Sequence, residues 1–191
     1  MRRLRYLPSI KATNGFTMLE LLVTLAILSI VITLALPPLN NFIVNMRVDN
    51  EISQLHRLLL TARNSAINTG QVVTLCPLDT TNNCNKNWNG KLSAFIDLNN
   101  NGIYESSNNE TLIRIKEAVN TNDSLTYPNE QLSYEATGQA TRLLTGTFIY
   151  CPGEDDDKGR AIEVSAVGRI YASTDIDNDA KDETRDGNEI T

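Results

Sequence analysis

The chain has 191 residues, 41% hydrophobic and 21% charged, which suits one ordinary globular domain with an appendage and argues against disorder. Seventeen Lys+Arg against 23 Asp+Glu give a net charge of −6, which argues against a basic nucleic-acid surface over the whole molecule. One His and three Cys leave few ligands for a zinc centre.

The averages hide a strong polarity along the chain. The first 15 residues carry Arg2, Arg3, Arg5 and Lys11 and no acid, so the remainder is more negative than the whole. Next comes Phe16–Leu36, 21 residues with Glu20 as the single charge. As a helix this run covers roughly 30 Å, about the hydrocarbon thickness of a bilayer. It is too long for the apolar part of a signal peptide, and no A-x-A-like cleavage site comes after it. The basic flank keeps the amino terminus cytoplasmic and exports the residues beyond Leu36. A plain signal anchor is the simplest reading of these features alone.

Gly15 and Glu20 point further. The stretch Asn14-Gly15-Phe16-Thr17-Met18-Leu19-Glu20-Leu21-Leu22 resembles the prepilin motif of type IV pilins and type II secretion pseudopilins. In that family an inner-membrane prepilin peptidase cuts after the glycine on the cytoplasmic side and methylates the new amino terminus. The resemblance implies that Gly15 is the last leader residue, Phe16 the N-methylated first residue, and Glu20 the acid five positions in. Met18 stands where Ile or Leu is commoner. A carboxylate inside a span costs roughly 2.5–3.5 kcal/mol on insertion scales, so it needs a partner. Cleavage at Gly15 creates one, the amine of Phe16. On a packed filament Glu20 of one subunit can meet that amine on a neighbour and set the axial register, a role in which such pairs serve alignment more than stability. Against this stands the simpler possibility that Glu20 snorkels to the nearby interface.

Pro37-Pro38 is expected to end or kink the helix. Val48, Ile52, Leu55, Leu59, Ala62 and Ala66 then step by 4, 3, 4, 3 and 4, one apolar stripe on an amphipathic helix. Its other face carries Arg47, Asp49, Glu51, Gln54, Arg57 and Arg63. Asn68-Thr69-Gly70 supplies a stop, with Gly70 suited to a left-handed cap. His56, the lone histidine, reads as a surface or edge residue of this helix.

From Gln71 the texture changes to short β-like runs between Asn, Asp and Gly. Strands are predicted at Val72–Cys76, Leu92–Asp97, Leu112–Ile115, Gln131–Tyr134, Phe148–Cys151, Ala161–Ser165 and Arg169–Ala172. They imply an antiparallel sheet, or two small sheets, on the amphipathic stripe. Several pieces also resemble the GspH/FimT family of minor pilins and pseudopilins. These are Ala62–Ala66, Val72–Pro77, Trp88-Asn89-Gly90, Phe95-Ile96-Asp97 with Asn101-Gly102, Tyr150-Cys151-Pro152 and Gly168-Arg169-Ile170. The resemblance implies an α+β, pilin-like fold, with a long amino-terminal helix, transmembrane in its first half, packed on an antiparallel β-rich head. It also implies a non-catalytic filament subunit of a type IV pilus or a type II secretion pseudopilus, with other pilins or pseudopilins as partners.

An exported domain permits disulfides. Cys76 and Cys84 bracket the polar loop Pro77–Asn83, and Cys151 is the alternative partner for Cys76. Two segments look like calcium loops. Asp97-x-Asn99-x-Asn101-Gly102 has Asn108 where a bidentate acid is needed, and reads as a hairpin turn. Asp175, Asp177, Asp179, Glu183 and Asp186 fall at loop positions 1, 3, 5, 9 and 12, but Ala180 replaces the glycine, and an acidic solvated tail is the expectation. Some relatives on the pilus side bind DNA through a carboxy-terminal Gly-Arg-x-Arg motif. Here it is Gly168-Arg169-Ile170-Tyr171, which lacks the second arginine and leaves Lys158, Arg160 and Arg169 as weak DNA contacts beside opposing acids.

No Gly-rich phosphate loop, G-x-S-x-G elbow or H-E-x-x-H is present, so no enzyme and no cofactor are expected. The resulting division is leader 1–15, membrane helix 16–36, amphipathic continuation 37–70, periplasmic head 71–174 and acidic tail 175–191. The expected function is to help initiate or cap a type IV pilus. The alternatives are a minor pseudopilin of type II secretion and a DNA-binding minor pilin for natural transformation.

Overall fold

The structure, a computed structural model, describes residues 15–153 and 156–190, and at 34–38, 40 and 156 the backbone alone. The leader cations Arg2, Arg3, Arg5 and Lys11 lie outside the described residues. The helix α1 spans Met18–Thr69. Thr17 starts it: the Glu20 N–H donates to Thr17 Oγ1 at 3.2 Å, an N-cap bond that satisfies one of the orphan donors of the first turn. Gly70 ends it with φ +67°, its N–H bonded to the Ala66 carbonyl at 3.0 Å, the left-handed cap expected there. Of the two expected outcomes at Pro37-Pro38, an end or a kink, the helix does not end there. Each proline removes one donor and crowds the carbonyl four residues back, yet helical runs on both sides carry α1 through. The chain divides into two compact units between Phe42 and Ile43.

In the second unit, the α1 stripe supplies one wall of the core. Val48, Leu55, Leu59, Ala62 and Ala66 are buried, with Ile52 half-buried against them, as the 4-3 spacing predicts. Leu58, off that stripe, is buried too. Two four-stranded antiparallel sheets supply the rest. The first has the order β3-β2-β1-β5, from β1 (Val73–Pro77), β2 (Leu92–Ile96), β3 (Leu112–Lys116) and β5 (Leu132–Tyr134). The second has the order β4-β6-β7-β8, from β4 (Ser124–Thr126), β6 (Gly146–Cys151), β7 (Arg160–Val164) and β8 (Ile170–Ala172). The seven predicted strands appear within one or two residues of their expected ends, and β4 is an addition. Val73 pairs with Ile96 on one side and Tyr134 on the other, so β1 is central, and all five of its residues are buried.

Trp88, Tyr127 and Phe148 form an aromatic cluster in the core. Tyr127 stacks on Phe148 with centroids 3.9 Å apart, and Trp88 meets both edge-on at 5.1 and 5.2 Å. The Trp88 indole N–H donates to the Asn129 carbonyl at 2.9 Å, so its polar end is satisfied. Burial pushes the phenols of Tyr127, Tyr134 and Tyr150 well above their ordinary pKa, with Asp123 adding to the effect at Tyr150. These groups stay neutral in the folded state while the unfolded chain ionises near pH 10, so the folded state binds more protons at high pH. Their contribution is intact below about pH 10 and is lost as pH rises above it. The urea midpoint is expected to fall steeply above that pH, with these three of the six tyrosines adding their tyrosinate absorbance only on unfolding. Tyrosinate absorbance of all six tyrosines near pH 10, without loss of structure, would contradict this.

Polar groups that flank the helical stripe are drawn inward. Lys116 Nζ, on β3, lies 2.5 Å from Glu51 Oε2, with side chains 4% and 16% exposed. Arg47 Nε sits 3.2 Å from Asp123 Oδ2, which also accepts the Tyr150 hydroxyl. The expected polar face of the helix is therefore partly an interface with the sheets. Buried pairs like these fix which strand faces which turn of the helix, whatever they add to stability.

Cys76 and Cys84 form a disulfide with Cα atoms 5.5 Å apart, and Cys151, half-buried at the end of β6, takes no part in it. The bridge closes a short loop, for which the chain-entropy account gives about 2–3 kcal/mol. Reduction, or Cys84→Ala, is expected to lower the urea midpoint by that amount of stability. Coincident unfolding curves for oxidised and reduced protein would show that the bridge contributes nothing.

Candidate functional site

Gly15 precedes the helix and is exposed. A Cβ built there meets nothing within 4 Å, so the fold itself makes no demand for glycine at this position. Phe16 is 77% exposed beside it. Glu20 falls in the first turn of α1, three residues after the Thr17 cap, where a carboxylate complements the positive end of the helix dipole. The T-x-x-E spacing is the sequence signal for this cap, and the processing motif, which overlaps it, hides the role of Thr17. From Phe16 to Ile32 the large apolar side chains are 46–81% exposed and face every direction around the helix. A helix apolar on all sides calls for an apolar environment. Among the described residues no helix is long and apolar enough to cross a membrane. The uncharged run of the sequence continues through Leu34, Ala35 and Leu36, whose side chains lie outside the described residues.

Asp97 is buried, and its carboxylate accepts the Thr74 hydroxyl at 2.9 Å and the N–H groups of Asn101 and Gly102, both at 3.1 Å. Both of its oxygens therefore hold the turn after β2, in keeping with the hairpin reading. His56 is half-buried on α1.

Of the three weak DNA-contact candidates, Lys158 and Arg160 border one pocket together with Asp49, Asp157 and Asp182. Arg160 Nη1 lies 2.5 Å from Asp182 Oδ1, with Asp49 at 4.0 Å from Nη2. Arg169 bonds the Tyr171 hydroxyl and, with Arg185 over the ring at 4.7 Å, holds that half-buried phenol below its ordinary pKa. Lys158 is half-buried at the end of a 3₁₀ turn. Gly168 has a packing reason of its own: at φ +74°, its Cβ would lie 1.9 Å from the Gly138 carbonyl, which accepts from Arg63 Nε at 2.9 Å.

The acidic segment keeps Asp175, Asp177, Asp179, Asp186 and Glu189 exposed and is anchored to the head at a few points. Asp182, Glu183 and Ile190 are buried, and Glu183 bridges to both Thr174 and Glu189. Asp182 Oδ2 accepts the Ser173 hydroxyl at 2.6 Å while Oδ1 holds Arg160. Asp175, Asp177, Asp179 and Glu183 bring one carboxylate oxygen each to within 4.8 Å of one another, and Asp186 is not in that group.

The family described as type II transport protein GspH matches residues 51–168, and the prokaryotic N-terminal methylation motif matches residues 10–36. No curated protein matches the sequence. Among solved structures, the type IV minor pilin FimU of Pseudomonas aeruginosa is similar with a TM-score of 0.53 and 20% identity, covering 66% of this chain and 88% of that one. A second crystal form of FimU gives 0.49 at 21% identity, covering 64% and 89%. The minor pseudopilin EpsH of the Vibrio cholerae type 2 secretion system gives 0.45 at 16% identity, covering 66% and 95%. At such identity the FimU likeness is one of fold, the pilin-like helix on antiparallel sheets. With the GspH match spanning the last third of α1 and most of both sheets, and the methylation motif at the amino terminus, the chain belongs to the GspH family of minor pilins and pseudopilins.

Proposed function

We propose that the chain is a prepilin whose leader, residues 1–15, is removed by prepilin peptidase after Gly15, leaving an N-methylated Phe16. Residues 16–36 anchor the subunit in the inner membrane with a cytoplasmic amino terminus, and the head lies in the periplasm. The matured subunit then leaves the bilayer as a non-catalytic member of a type IV pilus, where it helps to initiate or cap the filament among other pilins. The observation that carries this reading is the amino-terminal segment. It combines an exposed Gly15-Phe16 junction, a capped helix start with Glu20 in the first turn, and an apolar helix surface on all sides. Such a surface is stable in lipid and equally stable against identical helices in a filament core.

The fold shared with FimU, itself a type IV minor pilin, favours the pilus. The family's description as a type II transport protein favours the second reading, a minor pseudopilin. Deleting the gene separates them. Surface pili are expected to fall about tenfold or more and to return on complementation, while secretion of exported enzymes stays unchanged. Intact piliation with lost secretion would assign the chain to the type II system.

A further inference from the structure

We propose that residues 175–183 form a calcium site, with Asp175, Asp177, Asp179 and Glu183 as its carboxylate ligands. Their oxygens converge to within 4.8 Å of one another. The acids alone would be an ordinary polar surface, but Glu183 is not on the surface. It is 5% exposed; its Oε2 accepts the Ile176 N–H at 2.7 Å, and its Oε1 is buried with no hydrogen-bond partner among the described residues. A buried carboxylate oxygen left unsatisfied beside three further carboxylates is costly in two ways, through lost solvation and through like-charge repulsion. A bound cation removes both costs.

Lys181 and Arg160 form their ion pairs with acids outside the four, and Asp179 acts on Lys181 only as a weaker influence. Lys181 Nζ sits at Asp157 and Glu189, at 3.2 and 3.6 Å, and Arg160 is held by Asp182 and Asp49. The backbone of the loop turns around the four acids. The N–H groups of Asn178 and Ala180 donate to Asp175, that of Asp179 to Asp177, and that of Lys181 to Asp179. Asn178 and Ala180 reach φ +66° and +73° to allow this, so Ala180 takes the left-handed turn that a glycine usually makes in such loops. The absence of that glycine therefore does not keep the acids apart.

The chemistry of the ligands selects the cation. All four are carboxylates, and no His or Cys stands among them, which suits a hard cation and not zinc. A loop whose ligands come from alternate residues over nine positions suits calcium, which accepts irregular coordination by six to eight oxygens. Magnesium demands near-ideal octahedral geometry. With Asp186 outside the group, no acid serves the twelfth position that supplies the bidentate ligand in tight loops. The affinity then falls in the range of extracellular modules, roughly 10⁻⁴–10⁻³ M.

The test uses the full chain in detergent, stripped with chelator and titrated calorimetrically with calcium chloride or magnesium chloride. One calcium per chain is expected, with magnesium at least about tenfold weaker. At calcium about a hundred times the dissociation constant, mass action raises the melting temperature by about 5–10 °C. Asp177→Asn, at an exposed position, is expected to weaken binding about tenfold or more with its chelated-state melt unchanged. Asp186→Asn is expected to bind as the parent does. Glu183→Gln changes a buried group, so its loss of binding supports the site only alongside Asp177→Asn. No saturable binding up to about 10 mM calcium, or equal weakening by Asp177→Asn and Asp186→Asn, overturns the site in favour of diffuse attraction to acidic surface.

Discussion

Gly15→Val is expected to block maturation completely, so that membrane-extracted protein retains residues 1–15, while the parent chain begins at N-methyl-Phe16. The structure makes this substitution unusually clean. A Cβ at Gly15 has open space around it, Phe16 is exposed, and the helix is started by Thr17 beyond the junction. The valine chain therefore keeps its fold and its membrane anchor, and any defect belongs to an external reader of that glycine. A peptidase that must bring backbone into its catalytic cleft tolerates a hydrogen at the cleavage position far better than a branched side chain. Intact-mass measurement on membrane extracts decides the matter. Met1 retained on the parent protein, or normal trimming of the valine variant, would remove the basis for reading this chain as a peptidase substrate.

Glu20→Val is expected to leave membrane insertion intact or improved, since a carboxylate is costly inside a span. Incorporation into filaments should nevertheless fall, by about tenfold or more, because a neighbour's Phe16 amine loses its partner and the axial register loses its marker. The first-turn position of Glu20 raises a competing explanation, in which the acid merely complements the helix start. Glu20→Gln separates the two: it retains an amide able to bond near the cap but carries no charge for the amine. Incorporation lost in both variants supports the pairing. Normal incorporation of the glutamine variant assigns Glu20 to the helix terminus, and normal incorporation of the valine variant shows a carboxylate that only snorkels.

Much of the architecture could be read from local patterns. The α1 stripe follows from 3.6-residue spacing, and β1 and β2 from compact apolar runs between turn residues. The disulfide followed from a short polar loop between two cysteines. What escaped depends on partners distant in sequence. Arg47 and Glu51 look like solvent-facing charges because Asp123 and Lys116 lie more than sixty residues further on. β4 has one inward apolar residue, Leu125, too weak a signal without the β6 edge it pairs with. The acidic carboxy-terminal segment resembled a solvated tail because its composition is solvated in type. Arg160, Ser173 and Thr174 supply the bonds that fold it back, and only the fold brings them near. At the amino terminus the methylation motif was legible at once, since it is linear and needs no tertiary context.

The position of β1 bears on how the head reaches its folded state. β1 is wholly buried and is paired on both edges, by β2 at Leu92–Ile96 and by β5 at Leu132–Tyr134. As the chain emerges amino terminus first, β1 and β2 can form a hairpin early, but the second edge waits for residues some sixty positions later. During that interval an apolar strand presents open backbone donors and acceptors, the arrangement most prone to pairing with another chain. Long-range closure of this kind slows folding relative to the locally formed helix. The head is therefore most vulnerable to aggregation between the emergence of Pro77 and that of Tyr134, and a chaperone that shields an open strand edge would act in that window.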